Sequence, residues 1–186
     1  AHVGLIAAGA YSLTADGITG SIVQMLAHGL VIVGLFYVAD IIYSRYETEQ
    51  IGEMGGIKSY APKLSIAFMF LVLAAVALPA TFNFIGEFNI LYGLSRLNIW
   101  YAILGGTTII LSAFYMLRLF QQTMTGPGNH TFFADLKPNE SFVFALLVLL
   151  VFFFGIYPQP VIELISPSVK EIMEHIQTHS LMTGMN

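Results

Sequence analysis

Long apolar runs separated by short polar stretches dominate this chain. A helix needs about 20 apolar residues to cross the hydrocarbon core of a bilayer. The runs predict helices over about residues 1–14, 20–44, 64–93, 98–121 and 141–156. The first is too short to span at about 1.5 Å per residue. It reads as the second half of a crossing helix, and the chain, which opens Ala1-His2-Val3 without Met, is expected to be a fragment. Residues 14–19 read as a turn, with Asp16 and Gly17 as breakers. The run over residues 64–93 would make a straight helix of about 45 Å against a core of about 30 Å. Pro79 and Gly86 lie within it and predict a broken helix, the device by which membrane transporters set polar backbone beside an ion path.

Residues 45–63 and 123–140 are predicted loops, the second carrying Gly126, Pro127, Gly128 and Pro138. After the stop Tyr157-Pro158-Gln159-Pro160 the pattern changes. Ile162, Ile165, Val169, Ile172, Met173 and Ile176 fall at helical spacing with charged residues between them, and Ser166 is predicted to cap a helix that has Pro167 at its first position. Such a stretch lies on a membrane surface or against a partner helix. The chain therefore reads as an all-α, polytopic membrane protein. It has a transmembrane bundle over residues 1–158 and an amphipathic tail over residues 159–186. The bundle holds about five transmembrane helices, the first truncated and one broken near Pro79.

Composition supports this picture. Hydrophobic residues make up 56% of the chain and charged residues 10%, where a soluble domain carries about 25% charged residues. A net charge of −4 and only seven Lys and Arg speak against nucleic-acid partners and a polybasic lipid anchor. The absence of Cys excludes thiolate-held iron–sulfur clusters and disulfides on this chain. Arg45, Lys58, Lys63, Arg118 and Lys137 fall on one side of the predicted topology, and Arg96 and Lys170 on the other. The positive-inside rule makes the first side cytoplasmic or matrix-facing and puts the C-terminus opposite.

Three titratable residues fall at membrane depth: His2, His28 and Glu87. Asp40 is near a helix end and able to reach the interface. A charge at a helix centre costs roughly 2.5–3.5 kcal/mol on insertion scales, and residues kept there at that cost are relays or ion sites by default. His28 follows Gln24 by four residues and shares its helix face, and Asn83 precedes Glu87 by four. Gly29 and Gly34 are expected to permit close helix approach. The functional reading is a polar axis in which protons pass among His2, His28, Glu87 and ordered water, for which an imidazole titrating near neutrality is suited. The competing reading makes each His a core residue bonded to a backbone carbonyl.

Other features carry less. The aromatic run over residues 142–157 reads as lipid-facing packing, Phe82, Phe84 and Phe88 around the break as packing or else a gate to water entry, and Glu47, Glu49 and Glu53 as a solvated face. His175 and His179 have metal-binding spacing but no further ligand, so no metal site is expected. Motifs for phosphate binding, nucleophilic catalysis and haem attachment are absent from the sequence.

Five segments together are specific: AHVGL at residues 1–5, QMLAHGL at 24–30, GG at 55–56, LPATFNFIGEF at 78–88 and GIYPQP at 155–160. In these and their order the chain resembles the C-terminal part of the M-type antiporter-like membrane subunits of bacterial NADH-quinone oxidoreductase, counterparts of mitochondrial complex I subunit 4. The resemblance implies a full subunit of about fourteen transmembrane helices in two inverted repeats, each with a broken helix, of which this chain matches the last five. It implies that His2 and His28 match the family's relay histidines and that Glu87 matches the acidic residue at the broken helix, linking the central axis to an exit half-channel. Several relatives, the L- and N-type subunits among them, carry Lys there. The Glu and two Lys residues of the family's first half-channel belong to upstream helices and are not in this sequence.

The function so implied is proton translocation in the membrane arm of respiratory complex I, with no catalytic residue and no cofactor on this chain. FMN, iron–sulfur clusters and quinone belong to partner subunits. The implied partners are L- and N-type neighbours and the lipid bilayer, not nucleic acid, in a bacterial inner membrane or else a mitochondrial one. Rival readings are a subunit of a multisubunit cation/proton antiporter, a subunit of an energy-converting hydrogenase, and a purely structural membrane element.

Overall fold

The computed structural model of the chain describes residues 1–48, 50–126 and 133–183, with side chains as far as Thr178. Glu49, Pro127, Gly128 and the His179 side chain, named above, lie outside this set. All regular structure among the described residues is helical. Helix α1 (His2–Tyr11) ends at Ser12, whose hydroxyl donates to the Gly9 carbonyl at 2.6 Å. The chain reverses through Leu13, which takes a left-handed φ of 50°. Thr14 then caps α2 (Ala15–Tyr46) by accepting the Gly17 N–H at 3.1 Å.

The turn predicted over residues 14–19 is therefore corrected. Only Ser12 to Thr14 turns, and Asp16 and Gly17 form the first turn of α2, where a carboxylate favours the positive end of the helix dipole. With 32 residues, α2 is about 48 Å long.

A single 3₁₀ turn (Ile51–Glu53) and the short α3 (Ile57–Tyr60) lead to α4 (Pro62–Ala75), which starts on Pro62. The Asp135 carboxylate accepts the N–H groups of Lys63 and Leu64 at 3.2 and 3.1 Å and so caps α4 from a distant loop. After an interruption the chain resumes as α5 (Phe82–Leu97), then α6 (Ile99–Phe120), capped by the Asn98 side chain and continued through Gln121–Thr125 in wider π geometry. The last helices are α7 (Pro138–Ile156) and α8 (Gln159–Thr183).

Three helical stretches are long and apolar enough to cross a membrane, Ala15–Tyr46, Ile99–Thr125 and Pro138–Ile156; α1 and α4 are shorter apolar helices. Exposed Trp100, Leu104, Ile110, Leu111 and Phe114 cover the outside of α6, a surface that lipid solvates and water does not.

Helix α8 departs from expectation at its start. It runs unbroken through Ser166 and Pro167, and Ser166 caps nothing: its hydroxyl donates to the Ile162 carbonyl at 2.7 Å within the same helix. The interior proline removes one backbone donor, and packing of Val161, Ile162 and Ile165 against Val23, Ala27 and Phe82 holds the helix across that point.

The break itself occupies the residues between Ala75 and Phe82. Ala77 and Ala80 take left-handed φ values of 53° and 76°, and the Leu78 N–H reaches back to the Leu73 carbonyl at 3.0 Å. Gly155 of α7 lies against the carbonyl of Ala80, so close that a Cβ there would collide with backbone. Pro79 stands inside the break. Gly86 does not, and its prediction as a break residue is corrected: it is helical, and its role is in packing.

Helices α2 and α5 pack antiparallel along a line of glycines. A Cβ on Gly93 would meet the Gly17 Cα at 2.7 Å, one on Gly20 the Ile90 nitrogen at 2.6 Å, and one on Gly86 the Gln24 Cα at 2.8 Å. Gly29, expected to serve this purpose, faces open space, while Gly34 lies against the Leu71 side chain. Toward the other end of α2 the core is apolar, built from Val31, Val38, Leu64, Phe68, Leu71 and Phe120 among others. There Arg45 pairs with Glu140 at 2.7 Å, donates to the Ala134 carbonyl and lies 5.2 Å over the Phe133 ring. These contacts tie the last turn of α2 to the segment that leads into α7 and to its first turn.

Candidate functional site

Helical spacing puts Asn83, Gly86, Glu87, Ile90 and Gly93 on one stripe of α5, and all five are buried. The glycines let α2 approach along this stripe, which closes water away from Glu87 and leaves it 2% exposed. Its Oε1 accepts from Gln24 Nε2 at 3.3 Å and lies 3.1 Å from His2 Nε2. The His2 ring is 5.0 Å from that of His28, at an interplanar angle of 33°. Three helices thus converge on one carboxylate, in the order His28, His2, Glu87.

His2 has a second partner that explains the break. Its Nε2 lies 3.0 Å from the carbonyl oxygen of Ala75, the last residue of α4. In a continuous helix that carbonyl would accept the N–H of residue 79. Residue 79 is proline and has none. Pro79 therefore frees the carbonyl that His2 takes up. Because a carbonyl only accepts, Nε2 carries the hydrogen in this contact, shared between Ala75 O and Glu87 Oε1.

Gln24 Oε1, both amide atoms of Asn83 and Glu87 Oε2 have no protein hydrogen-bond partner among the described residues. Gln24 is the tenth residue of α2, so the cluster lies about 15 Å from the Ala15 end and about 33 Å from the Tyr46 end. The nearer end is the side of Arg96, opposite the side richer in Lys and Arg. Between cluster and near end, Leu5, Ile90 and Leu94 form a small apolar core. A groove of about 560 Å³, lined by Leu35, Val38, Asp40 and Met116 among others, lies toward the far end of α2 and includes none of the cluster residues. Asp40 is exposed.

The structure brings His2, His28 and Glu87 together and places Pro79 beside them through Ala75. Gly86 belongs to the site as the residue that admits Gln24. The competing reading of the histidines is partly realised, since His2 does bond a backbone carbonyl, but it reaches Glu87 as well. Sequence reasoning gave Gln24 and Asn83 only a shared face with His28 and Glu87. The seven-residue spacing of Gly86 and Gly93 on the Glu87 stripe was the available signal for the close contact. Among the described residues no group of three or more His, Cys, Asp or Glu is arranged to hold a metal.

Residues 1–112 match the family model of NADH:quinone oxidoreductase/Mrp antiporter transmembrane proteins. The NADH-quinone oxidoreductase subunit M of Rickettsia typhi is 37% identical over 176 residues, covering 93% of this chain and 36% of the relative. That of Mycobacterium tuberculosis is 39% identical over 181 residues, covering 96% and 32%. This chain thus spans about a third of the length of these relatives. A chain of respiratory complex I from Thermus thermophilus with bound NADH superposes with a TM-score of 0.86 at 33% identity, over 93% of this chain and 37% of that one. A chain of the Mrp complex from Dietzia sp. DQ12-45-1b superposes at 0.81 with 16% identity, over 92% and 41%, a likeness of fold.

Proposed function

This chain belongs to the NADH:quinone oxidoreductase/Mrp antiporter transmembrane family, and we propose that it supplies the outlet half of a proton path in the M-type membrane-arm subunit of a respiratory complex I. NADH oxidation and quinone reduction take place on other subunits, which hold FMN, iron–sulfur clusters and quinone. This chain adds proton translocation and carries no redox group. Its neighbours are L- and N-type antiporter-like subunits, and its location is the bacterial inner membrane.

The observation that carries the reading is Glu87, buried to 2% exposure, with His2 at 3.1 Å and Gln24 at 3.3 Å beside an interrupted helix. A carboxylate is retained at such a place against its desolvation cost when its charge state is used. Its environment suits a relay. The proton on His2 Nε2 is already shared with Glu87 Oε1, so transfer requires little displacement of heavy atoms. His2 is then reprotonated from the His28 side, one proton entering as one leaves. The proton from the His28 side arrives at Nδ1 as the Nε2 proton leaves, the Ala75 carbonyl holds the imidazole while Nε2 carries its hydrogen, and the outlet lies about 15 Å away along α2. The subunit M relatives at 37% and 39% identity support this reading over the antiporter one, for which the 16% likeness speaks only to fold.

The test is Glu87→Gln in the full-length subunit of the assembled, membrane-embedded complex. NADH:quinone turnover and proton uptake into vesicles are recorded together after assembly is verified. Proton uptake is expected to fall on the order of a hundredfold, the scale of losing a positioned acid–base group, and turnover with it where the two are tightly coupled. Wild-type values for both would make Glu87 a structural residue. A wild-type assembly that exchanges cations for protons and oxidises no NADH would move the chain to the antiporters.

A further inference from the structure

Helix α4 is bonded at both ends to residues far along the chain. Its N-terminus has no side-chain cap from its own N-cap residue, and Pro62 at the first position has no N–H. The next two donors, Lys63 and Leu64, go to the two oxygens of the Asp135 carboxylate at 3.2 and 3.1 Å, and the Ser65 N–H goes to the Ala61 carbonyl at 3.1 Å. At the other end the Val72, Leu73 and Ala74 carbonyls accept from Val76, Leu78 and Ala77, and the Ala75 carbonyl accepts from His2. The groups that a helix leaves unpaired at its ends are thus met, and at each end a remote side chain takes part. A carboxylate stands at the N-terminus and an imidazole N–H at the C-terminus, the arrangement that the helix dipole favours. The segment that carries Asp135 is itself seated. Phe133 and Leu136 are buried in the apolar core, and Arg45 of α2 donates to the Ala134 carbonyl and pairs with Glu140 at 2.7 Å. Helix α2 also carries His28, whose ring is 5.0 Å from that of His2. The contacts close a circuit, from Arg45 to Asp135, along α4 to Ala75, and through His2 back to α2.

We infer that Asp135 is a positioning residue of the proton relay, setting the seat of α4 so that the Ala75 carbonyl stands at His2 Nε2; the inference rests on the proposed function. The buried side chains of α4, Leu64, Phe68, Leu71 and Val72 among them, hold the helix sideways against its neighbours. In lipid such contacts gain little from burial and give little hold along the helix axis. Bonds at the two ends supply that hold. Lys63 and Ala75 are about 18 Å apart along α4, and the helix between them is regular, so a shift at its first turn is carried to its last. Without Asp135 the Lys63 and Leu64 N–H groups must find other partners, because an unpaired donor costs more than a strained helix end. The Ala75 carbonyl moves with them. His2 Nε2 shares its hydrogen between that carbonyl and Glu87 Oε1, so the ring loses the contact that aims it.

The experiment is a double-variant cycle in the full-length subunit of the assembled complex: Asp135→Ala, Pro79→Ala, the two together, and Glu87→Gln beside them. It reads the rate of proton uptake per assembled complex and the nitrogen NMR signal of His2 Nε2. Asp135→Ala is expected to lower uptake roughly fivefold, part of the cost of a misplaced reacting group, and to move the His2 signal. Combined with Pro79→Ala, which already draws the Ala75 carbonyl from His2, it is expected to lower uptake little further, because both act through one contact. Asn98→Ala is the control for a lost cap, since Asn98 accepts the Trp100 N–H at 2.9 Å at the start of α6. It is expected to reduce the amount of assembled complex as Asp135→Ala does and to leave uptake per complex and the His2 signal at wild type. Should Asp135→Ala fail to assemble, Asp135→Asn, which keeps one acceptor oxygen, takes its place with the same direction of change expected. Wild-type uptake and an unmoved His2 signal in the Asp135 variant, beside a loss in Glu87→Gln, would overturn the inference and leave the proposed function standing. Losses that multiply in the double variant would overturn it too, as would a His2 signal that moves equally in Asn98→Ala. Wild-type pumping in Glu87→Gln would instead overturn the proposed function itself.

Discussion

Helix α2 makes two unlike contacts along its length. From Gly17 to Gln24 it meets α5 through glycines and a buried polar cluster. From Val31 to Ile42 it meets α4 and its neighbours through branched apolar side chains such as Leu71 and Val72. In a bilayer apolar side chains gain little by leaving lipid, so helix contacts depend on close packing and on satisfied polar groups. The apolar end packs side chain on side chain and has tolerance, because side chains can move. The glycine end packs backbone on backbone and has little, and that rigidity holds His2, Gln24 and Glu87 at hydrogen-bonding distance.

Adding one methyl group at each end tests this contrast with the largest expected effect. Gly86→Ala sets a Cβ 2.8 Å from the Gln24 Cα, whereas the nearest atoms to a Cβ in Gly34→Ala belong to the flexible Leu71 side chain. The first is expected to destabilise the subunit by about 3 kcal/mol and the second by about 1 kcal/mol or less, measured as loss of assembled complex and by denaturant titration in detergent. Equal losses would remove the distinction between the two contacts.

Pro79→Ala probes the link between break and site at an intermediate scale. Alanine restores an N–H that competes with His2 for the Ala75 carbonyl. Proton uptake is expected to fall about tenfold through misplacement of His2, with the complex assembled and with a changed nitrogen NMR signal from His2 Nε2. Unchanged uptake would show that the Ala75 contact does not position the ring.

Ala80→Gly has the smallest expected effect. Its left-handed φ of 76° costs an L-residue about 1–2 kcal/mol, of which glycine returns part, since its own chain entropy opposes folding by about 0.5–1 kcal/mol. A gain of about 0.5 kcal/mol is expected in the same denaturant titration, with pumping unaltered. Destabilisation would mean that the Ala80 methyl packs in a way that outweighs the backbone strain.

Hydrophobic runs and bilayer thickness determined from sequence alone that the chain is helical and crosses a membrane, because lipid allows a backbone few other ways to satisfy its polar groups. The cost of a buried charge singled out Glu87, and helix length against core thickness placed an interruption at Pro79. Those are local properties, carried by one segment at a time. Sequence reading fell short at Asp16 and Gly17, taken for breakers though Thr14 caps the helix they begin, and at Gly29, where an added Cβ would meet open space. It fell short again at Gly86, whose helical neighbours give no sign of Gln24. Only the tertiary structure decided that Gly86 admits Gln24, that Pro79 frees a carbonyl for a histidine 73 residues away, and that Gln24 donates to the Glu87 carboxylate. The first and last of these depend on the antiparallel register of α2 on α5, and that register is set by which small residues let two backbones approach, a property of the pair and of neither helix alone.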